Sequence, residues 1–274
     1  MRQSRNSMAH PYFDQKVFWI TGASSGIGKA VALEAARMGS KLILSARNEE
    51  ALNTVADECR SLGVEARVLP FDLTEIEGHS SIAQKAISMY GHVDMLFNNG
   101  GISQRSLASE TPLSIDRKVM EIDFFSHVSL TKSILPHLLE RNSGHIIANS
   151  SITGIFGFPL RSAYSAAKHA IHGFFESLRA ELASTGVKVT IIAPGRIATE
   201  ISKNAILKDG SSHGKMDEGL AAGMPPEKCA QQILKAVRKN RPEAVIGGKE
   251  TLMVTFRRKL PFVFFRLVSK VKPT

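Results

Sequence analysis

Cysteines are scarce in this sequence, and long apolar runs are absent. Only two cysteines occur among the 274 residues, and Cys59 and Cys229 do not have the spacing of metal ligands. Two isolated cysteines are typical of a protein from a reducing compartment, so we interpret both as packed thiols. No stretch contains the ~20 apolar residues that a membrane-spanning helix needs. Residues 1–16 also lack the apolar core of a signal peptide. These absences favour a cytoplasmic protein, and they predict no metal site.

Acidic residues are rare near the end of the chain, where most of the excess positive charge lies. The whole sequence contains 35 Lys and Arg against 25 Asp and Glu, which gives a net charge of +10. Residues 235–274 contain eleven Lys and Arg but only Glu243 and Glu250 as acidic residues, which accounts for nine of these ten charges. The rest of the chain is therefore nearly neutral, and we predict no nucleic acid partner.

Apolar runs of strand length alternate with segments of helical periodicity. Hydrophobic residues make up 43% of the sequence and charged residues 22%, which is typical of a globular protein. We predict strands at residues 17–20, 41–45, 65–71, 93–97, 145–151, 187–193 and 244–246, and helices at 29–36, 49–62, 80–90, 113–140, 163–184 and 227–239. This alternation predicts one doubly wound α/β domain, a Rossmann fold, whose parallel sheet of about seven strands is covered by helices on both faces.

The composition divides the chain into three segments. Residues 1–15 are predicted to form an N-terminal arm, disordered or loosely docked, residues 16–250 the Rossmann-fold domain, and residues 251–274 a basic and apolar C-terminal segment. Within the domain, residues 197–224 are rich in Gly, Ser and Lys, which is typical of a mobile loop.

The most informative stretch is Thr-Gly-Ala-Ser-Ser-Gly-Ile-Gly at residues 21–28, between the first strand and the first helix. Glycine lets the backbone turn sharply and approach a pyrophosphate, and the start of a helix offers unpaired N–H groups and the positive end of its dipole. Glycine-rich turns also occur for purely structural reasons. The position between a strand and a helix nevertheless favours a phosphate-binding site.

Two polar residues at the ends of predicted strands bear on the choice of cofactor. Arg47 follows the second strand, where dinucleotide folds usually place an acidic residue on the ribose 2′-hydroxyl. Arginine suits a 2′-phosphate instead, so we predict NADP(H), and the alternative is a solvated surface arginine. Asp72 follows the third strand, where its carboxylate could accept a hydrogen bond from an adenine amino group or cap a turn.

Tyr164 and Lys168 lie four residues apart on a predicted helix, so their side chains share one face. A phenol with a pKa near 10 exchanges protons poorly at neutral pH. A neighbouring ammonium favours the phenolate and lowers the pKa of the phenol, so the pair could exchange a proton with a substrate oxygen while hydride moves at carbon. The spacing alone is also common on half-exposed helix faces.

Several motifs stand in order along the chain: residues 21–28, Asp72, Asn98-Asn99-Gly100, Ser151, Tyr164 with Lys168, and Pro194-Gly195 through Thr199. With these motifs, residues 15–247 resemble the short-chain dehydrogenase/reductase family in its compact subgroup. The resemblance implies that Tyr164 donates a proton to a carbonyl in reduction and accepts it in oxidation. It further implies that Lys168 lowers the pKa of Tyr164 and holds the nicotinamide ribose, and that Ser151 hydrogen-bonds the reacting oxygen.

The same resemblance implies a set of contacts with NADP. The phosphates are expected at Gly22, Ser24, Ser25, Gly26, Ile27 and Gly28, and the nicotinamide at Pro194, Gly195, Ile197 and Thr199. Further contacts are expected at Arg47, Asn48, Asp72, Leu73, Asn99, Gly100, Tyr164 and Lys168.

Two positions depart from the family pattern. Gly100 stands where alanine is usual, at some cost in chain entropy. Asp123 stands where the family usually has an asparagine that holds a water in the proton relay to the lysine. Our hypothesis is that the carboxylate of Asp123 still holds this water, but raises the pKa of Lys168 and Tyr164 and moves the pH optimum upward.

The predicted function is NADP(H)-dependent reduction of a carbonyl or oxidation of a secondary alcohol; the alternative is a catalytically weak NADP(H)-binding redox sensor or scaffold.

The region after Thr199 carries a closer resemblance. Residues 201–217 and 260–265 resemble the branch of the family called dehydrogenase/reductase member 7. Some members of that branch are membrane-associated and are linked to lipid-derived or steroid-like carbonyl compounds. The implied substrate is a fairly apolar, lipid-like carbonyl or alcohol compound.

The C-terminal segment interleaves apolar and basic residues between positions 251 and 271, and Pro261 is predicted to split it into two short helices. Such a segment can lie on an anionic membrane as a peripheral contact. Alternatively, its Phe residues close the substrate pocket or an oligomer contact while the basic residues reach water. The long helices at 113–140 and 163–184 resemble the subunit contacts of the family, so a homodimer or homotetramer is expected.

Overall fold

The computed structural model describes residues 10–268, so the predictions for residues 1–9 and 269–274 lie outside the described part of the chain. Seven strands form one parallel sheet in the order β3-β2-β1-β4-β5-β6-β7. The strands are β1 Val17–Thr21, β2 Lys41–Ser45, β3 Ala66–Val68, β4 Met95–Asn98, β5 Gly144–Asn149, β6 Val187–Pro194 and β7 Glu243–Ile246. The strand order reverses between β1 and β4, which opens a crevice at the carboxyl ends of these strands. The predicted Rossmann fold is confirmed.

Helices cover both faces of the sheet and bury it between two apolar clusters. The helices are α1 Gly26–Arg37, α2 Glu49–Ser61, α3 His79–Tyr90, α4 Leu113–Met120, α5 Ser126–Glu140, α6 Ser162–Glu181, α7 Glu218–Ala221, α8 Pro226–Arg238, α9 Leu252–Lys259 and α10 Pro261–Val268. One cluster packs α1, α2 and α8 on the sheet, and the other packs α3, α5 and α6 on the opposite face. The strands of the sheet carry apolar side chains on both faces because helices cover both faces.

The third strand is shorter than predicted. Residues 65–71 were expected as a strand, but β3 ends at Val68. Pro70 fixes its backbone φ at about −65°, which differs from the φ of about −120° in a regular parallel strand. The N–H of Leu69 still donates to the oxygen of Leu44 at 2.9 Å and that of Phe71 to the oxygen of Ala46 at 3.2 Å. The chain therefore stays beside β2 up to Asp72.

The helical stretch from 113 to 140 is interrupted by a π-helical turn, Glu121–Phe125, between α4 and α5. Pro136 lies inside α5 without ending it. A π-helical turn widens the helix locally and often occurs at functional sites. Here it contains Asp123, whose side chain is fully buried.

Two segments expected to be loose are packed on the domain where they are described. Phe13 is buried, and the hydroxyl of Tyr12 lies 3.0 Å from Nδ1 of His145. Within residues 197–224, Ile206 forms a β-bridge with Gln104, and Asp217 is buried. Cys59 and Cys229 are free and buried as predicted, and burial raises the pKa of each thiol to about 12.

Candidate functional site

A cleft of about 850 Å³ lies at the carboxyl ends of the strands, beside the point where the strand order reverses. We call it the glycine cleft. Most of the residues predicted to contact a cofactor line it: Gly22, Ser24, Ser25, Gly26, Ile27, Arg47, Asn48, Asp72, Leu73, Asn99, Gly100 and Thr199. Residues as far apart in the sequence as Gly22 and Thr199 thus meet at one edge of the sheet, because the strands are parallel.

At two positions, one in the turn between β1 and α1 and one in the first turn of α1, no residue larger than glycine fits. Gly22 has a φ of +63°, and a Cβ there would lie 2.8 Å from Cα of Gly100. A Cβ on Gly28 would lie 2.1 Å from the carbonyl oxygen of Gly22. Both contacts are with backbone, which cannot rotate away. The start of α1 is therefore held tightly against β1, with its first N–H groups at the glycine cleft.

The floor of the glycine cleft is a hydrogen-bonded layer that sequence reasoning partly missed. The hydroxyl oxygen of Thr21 accepts hydrogen bonds from the N–H groups of Asn99 at 2.9 Å and Gly100 at 3.1 Å. Nδ2 of Asn99 donates to the carbonyl oxygen of Thr21 at 2.9 Å, and Nδ2 of Asn149 donates to Oδ1 of Asn99 at 3.0 Å. Thr21 begins the stretch 21–28 but is not among the predicted contact residues, and Asn149 lies inside the predicted strand 145–151, where no pattern singles it out.

The glycine at position 100 has a steric reason in this chain. A Cβ on Gly100 would lie 2.5 Å from Cδ1 of Leu73. An alanine at this position would therefore require Leu73 to move within the wall of the glycine cleft. Glycine therefore replaces the usual alanine at position 100 where the side chain of Leu73 occupies the space of a Cβ.

Three polar residues at the rim of the glycine cleft differ in what they contact. Arg47 is exposed, and no side chain among residues 10–268 pairs with its guanidinium. The side chain of Asn48 accepts a hydrogen bond from the N–H of Ala51 at 2.9 Å and so caps α2. Oδ1 of Asp72 accepts hydrogen bonds from N and Oγ1 of Thr74, both at 2.9 Å. Asp72 thus stabilises a turn as well as lining the cleft.

Tyr164 and Lys168 lie on α6 beside Ser151, which follows β5. Nζ of Lys168 is 5.6 Å from the ring centroid of Tyr164. The hydroxyl of Ser151 donates to the carbonyl oxygen of Pro194 at 3.4 Å and accepts a hydrogen bond from the N–H of Thr153 at 3.2 Å. These three side chains and that of Asp123, the fourth predicted catalytic residue, are buried. We call Ser151, Tyr164, Lys168 and Asp123 the tyrosine centre.

Asp123 contacts Lys168 directly. Its Oδ2 lies 3.2 Å from Nζ of Lys168, and its Oδ1 accepts a hydrogen bond from the N–H of Ile102 at 2.7 Å. Nζ of Lys168 also donates to the carbonyl oxygen of Asn149 at 3.0 Å. Asp123 thus reaches the lysine directly, and the hypothesis that its carboxylate also holds a water of the proton relay stays a prediction. Burial raises the pKa of the Asp123 carboxyl, and the ammonium of Lys168 opposes that shift.

The pKa of Tyr164 is raised, mainly because the phenol is buried away from water. The negative charge of Asp123 raises it further. The ammonium of Lys168 and a hydrogen bond with Ser151 lower the pKa of Tyr164, as the resemblance implied, but burial outweighs them.

The tyrosine centre is covered by the segment that follows β6. Ile206 packs in one apolar cluster with Tyr164 and Ile115. The side chain of Tyr164 is 9% exposed, and the members of the tyrosine centre do not line the glycine cleft. The same is true of four predicted cofactor residues, Gly28, Pro194, Gly195 and Ile197, of which Ile197 packs in the core.

A buried cluster of charges fixes the covering segment, and sequence reasoning missed it. Oδ2 of Asp217 lies 2.6 Å from Nη2 of Arg105 and 2.8 Å from Nη2 of Arg161. Burial and the positive charge of Arg105 lower the pKa of Arg161 to about 10. Among residues 10–268, no cluster of His, Cys, Asp and Glu could hold a metal ion.

Comparison with known proteins gives a consistent result. The family profile described as short chain dehydrogenase matches residues 16–209. A "Dehydrogenase/reductase SDR family protein 7-like" of Drosophila melanogaster is 40% identical over 93% of this chain and 80% of its own length. A "Dehydrogenase/reductase SDR family member 7B" of Xenopus laevis is 40% identical over 94% of this chain and 82% of its own length.

Solved structures share the fold. A short chain dehydrogenase/reductase from Burkholderia phymatum in complex with NAD superposes with a TM-score of 0.81 at 22% identity, covering 96% of this chain and 98% of that one. An alcohol dehydrogenase from Thermococcus sibiricus complexed with 5-hydroxy-NADP has a TM-score of 0.74 at 24% identity, covering 86% of this chain and 97% of that one.

Proposed function

The chain belongs to the short-chain dehydrogenase/reductase family, and from this premise we propose that it is an NADP(H)-dependent enzyme that reduces a carbonyl group, or oxidises a secondary alcohol, of a fairly apolar substrate. The oxidoreductase class follows from the family. The observation that carries the finer proposal is the meeting of Ser151, Tyr164 and Lys168 beside the glycine cleft, to which Asn149 connects them.

The glycine cleft fits a nicotinamide dinucleotide. Gly22 and Gly28 leave no room for a Cβ, which is what a backbone that closely approaches a pyrophosphate requires. The unpaired guanidinium of Arg47 at the rim supports NADP(H), because it could form charge-assisted hydrogen bonds with a 2′-phosphate. Ser24, Ser25 and Thr199 would hold the remaining polar groups. When bound, the nicotinamide supplies or accepts the hydride.

Tyr164 is proposed to move the proton at the substrate oxygen, and Ser151 to hydrogen-bond the same oxygen. The raised pKa of Tyr164 keeps its phenol protonated at neutral pH, so the hydroxyl can donate to a carbonyl oxygen. In the reverse direction a phenolate must accept the proton, which requires alkaline pH. This favours reduction near neutral pH. Lys168 stabilises the phenolate, and Asp123 holds Lys168 in place.

A second candidate function is a catalytically weak NADP(H)-binding redox sensor or scaffold. The observation that favours it is the ion pair between Asp123 and Lys168, because a lysine already neutralised by a carboxylate stabilises a phenolate less. Turnover separates the two candidates. A sensor would bind the dinucleotide in the glycine cleft without transferring hydride to carbonyl compounds.

The expected partners remain proposals of the same kind. A homodimer or homotetramer through the helical stretches 113–140 and 163–184 is supported by two exposed apolar residues in the first of them, Phe125 and Leu139. A lipid-like carbonyl substrate and a cytoplasmic location stay predictions. Within residues 10–268, no helix has both the length and the apolar character to cross a bilayer.

Transfer of a labelled hydride tests the proposed function directly. Purified protein is incubated with NADPH deuterated at C4 and a panel of apolar ketones and aldehydes, and the alcohols are analysed by mass spectrometry. We expect deuterium on the carbinol carbon, faster transfer from NADPH than from NADH, and a loss of transfer in Tyr164→Phe. Tight binding of NADPH with no transfer to any compound near neutral pH, where the phenol of Tyr164 is protonated, would support the sensor instead.

A further inference from the structure

The two helices at the end of the described chain, α9 and α10, leave a large apolar surface uncovered. The exposed residues are Leu252, Phe256, Leu260, Phe262, Val263, Phe265 and Leu267. We call this set the C-terminal apolar face. Single exposed apolar side chains are ordinary, but seven within sixteen consecutive residues form a patch of the kind that marks an interaction surface.

The opposite side of the helix pair anchors it to the domain. Val254 and Phe264 are buried in one cluster with Ile152 and Phe156, and the rings of Phe156 and Phe264 are 5.1 Å apart. Phe264 is 1% exposed, whereas Phe262, two positions earlier, is 88% exposed. The helices are thus fixed by their inner face, and Phe262 and its exposed neighbours have no role in closing the core.

The charge around the C-terminal apolar face has one sign. Arg258, Lys259 and Arg266 are exposed among the apolar residues, and Arg257 lies 5.1 Å over the ring of Phe265. The acidic residue nearest in sequence, Glu250, points away: its Oε1 accepts hydrogen bonds from the N–H groups of Arg196 and Gly248, both at 2.9 Å. Nη2 of Arg258 is paired with the carboxylate of Glu243 at 2.7 Å.

We propose that the C-terminal apolar face docks on the surface of a membrane that contains anionic lipids. Apolar side chains interleaved with arginine and lysine suit the boundary between acyl chains and negatively charged headgroups. Each helix has eight residues, about 12 Å in length, so the pair lies in the interface and does not cross the bilayer. This docking goes beyond the oxidoreductase function and does not depend on it.

A second copy of the chain is the competing occupant of this face. A two-fold contact places the same patch of both copies together, and therefore brings the basic residues of one copy, Arg257 and Lys259 among them, close to the basic residues of the other. Like charges brought together in an interface are unfavourable. An anionic membrane offers the opposite sign over the whole face, so the charge distribution favours the membrane.

Co-sedimentation with vesicles tests the docking. The full chain is mixed with vesicles of phosphatidylcholine alone, or of phosphatidylcholine with phosphatidylserine. We expect binding to the mixed vesicles that weakens with added salt, and about a tenfold or larger loss of binding in the double variant Phe262→Ser, Phe265→Ser. The double variant Arg257→Gln, Lys259→Gln should lose binding to the mixed vesicles and gain none to phosphatidylcholine.

Leu139→Ser is the matched control, because Leu139 is 41% exposed but lies near the end of α5, outside α9 and α10. It should bind vesicles as the unmodified chain does. Thermal unfolding of every variant checks that the fold is intact. Recovery of the unmodified chain in the supernatant of both vesicle types would overturn the proposal. So would a dimer that dissociates in Phe262→Ser, Phe265→Ser without any vesicle binding, which would assign the face to a second copy.

Discussion

The glycine cleft and the tyrosine centre adjoin each other through Asn149, yet their polar groups differ in what they contact. In the glycine cleft, the side chains of Ser24, Ser25 and Arg47 pair with no other side chain of residues 10–268. In the tyrosine centre, Lys168 is buried and held by Asp123 and by a backbone carbonyl. The cleft has free groups for a ligand, whereas the centre has already satisfied its own charges.

This difference separates binding from chemistry. A dinucleotide can enter the glycine cleft without breaking an ion pair. Tyr164 is 9% exposed and packs in one apolar cluster with Ile206, which belongs to the segment fixed by Asp217. We therefore expect changes in the cleft to alter cofactor affinity, and changes in or around the centre to alter turnover, its pH dependence or the stability of the covering segment.

The largest effect, a loss of NADPH binding, is expected from Gly28→Ala. The new Cβ would lie 2.1 Å from the carbonyl oxygen of Gly22, so the turn and the start of α1 must move apart. We expect loss of measurable NADPH binding in a titration followed by protein fluorescence. Gly157→Ala is the control, because a Cβ at this position has no atom within 4 Å. The affinity of this variant for NADPH should equal that of the unmodified chain. Normal affinity of Gly28→Ala would show that the glycine cleft does not hold the phosphates.

The next effect is on stability, from Asp217→Asn. The substitution leaves two buried guanidinium groups without their carboxylate, so we expect a loss of about 3–5 kcal/mol in the free energy of unfolding. Denaturant titration measures it. Glu110→Gln, which removes an exposed pair with Lys208, should have no measurable effect. Equal stabilities of the two variants would mean that the charge cluster does not fix the covering segment.

A smaller effect is expected from Arg47→Ser. Loss of the hydrogen bonds between the guanidinium and a 2′-phosphate should weaken NADPH binding about tenfold to a hundredfold. Binding of NADH, which has no 2′-phosphate, should stay the same. Lys85→Ser removes an exposed positive charge outside the cleft and serves as the control. An equal change in the affinities for NADPH and NADH would show that Arg47 does not contact the 2′-phosphate.

The smallest effect is a shift in pH dependence from Asp123→Asn. The carboxylate of Asp123 raises the pKa of Tyr164, so its removal should lower that pKa. Alcohol oxidation requires the phenolate, and its rate should therefore rise with pH through a limb that lies about one unit lower in the variant. The amide oxygen can still accept the hydrogen bond of Ile102. Superimposable pH–rate profiles would show that Asp123 does not act on Tyr164.

Much of this comparison follows from local sequence signals. The glycine turn lies within eight residues, and its position between a strand and a helix suffices to locate it. Tyr164 and Lys168 are also close in sequence, but their spacing is common, and their roles come from the family resemblance. Alternating strands and helices likewise predict the parallel sheet. The parallel topology then brings the strand ends, and the residues after them, to one edge.

Contacts between distant residues could not be predicted in this way. Arg105 and Asp217 are 112 positions apart, and nothing in either neighbourhood indicates a buried ion pair. The direct contact of Asp123 with Lys168 depends on the π-helical turn, whose extra residue is invisible to helical periodicity. The steric match of Gly100 with Leu73 is also non-local, since the two residues meet only across the cleft.

The most direct test measures NADPH affinity and the rate of hydride transfer on the same preparations of the unmodified chain, Arg47→Ser and Tyr164→Phe. The account predicts that Arg47→Ser weakens binding but transfers hydride normally once NADPH is saturating. It predicts the reverse for Tyr164→Phe, with unchanged affinity and a rate about 10² to 10⁴ times lower. Hydride transfer at the normal rate in Tyr164→Phe would contradict the account, because the phenol would then not be the group that moves the proton.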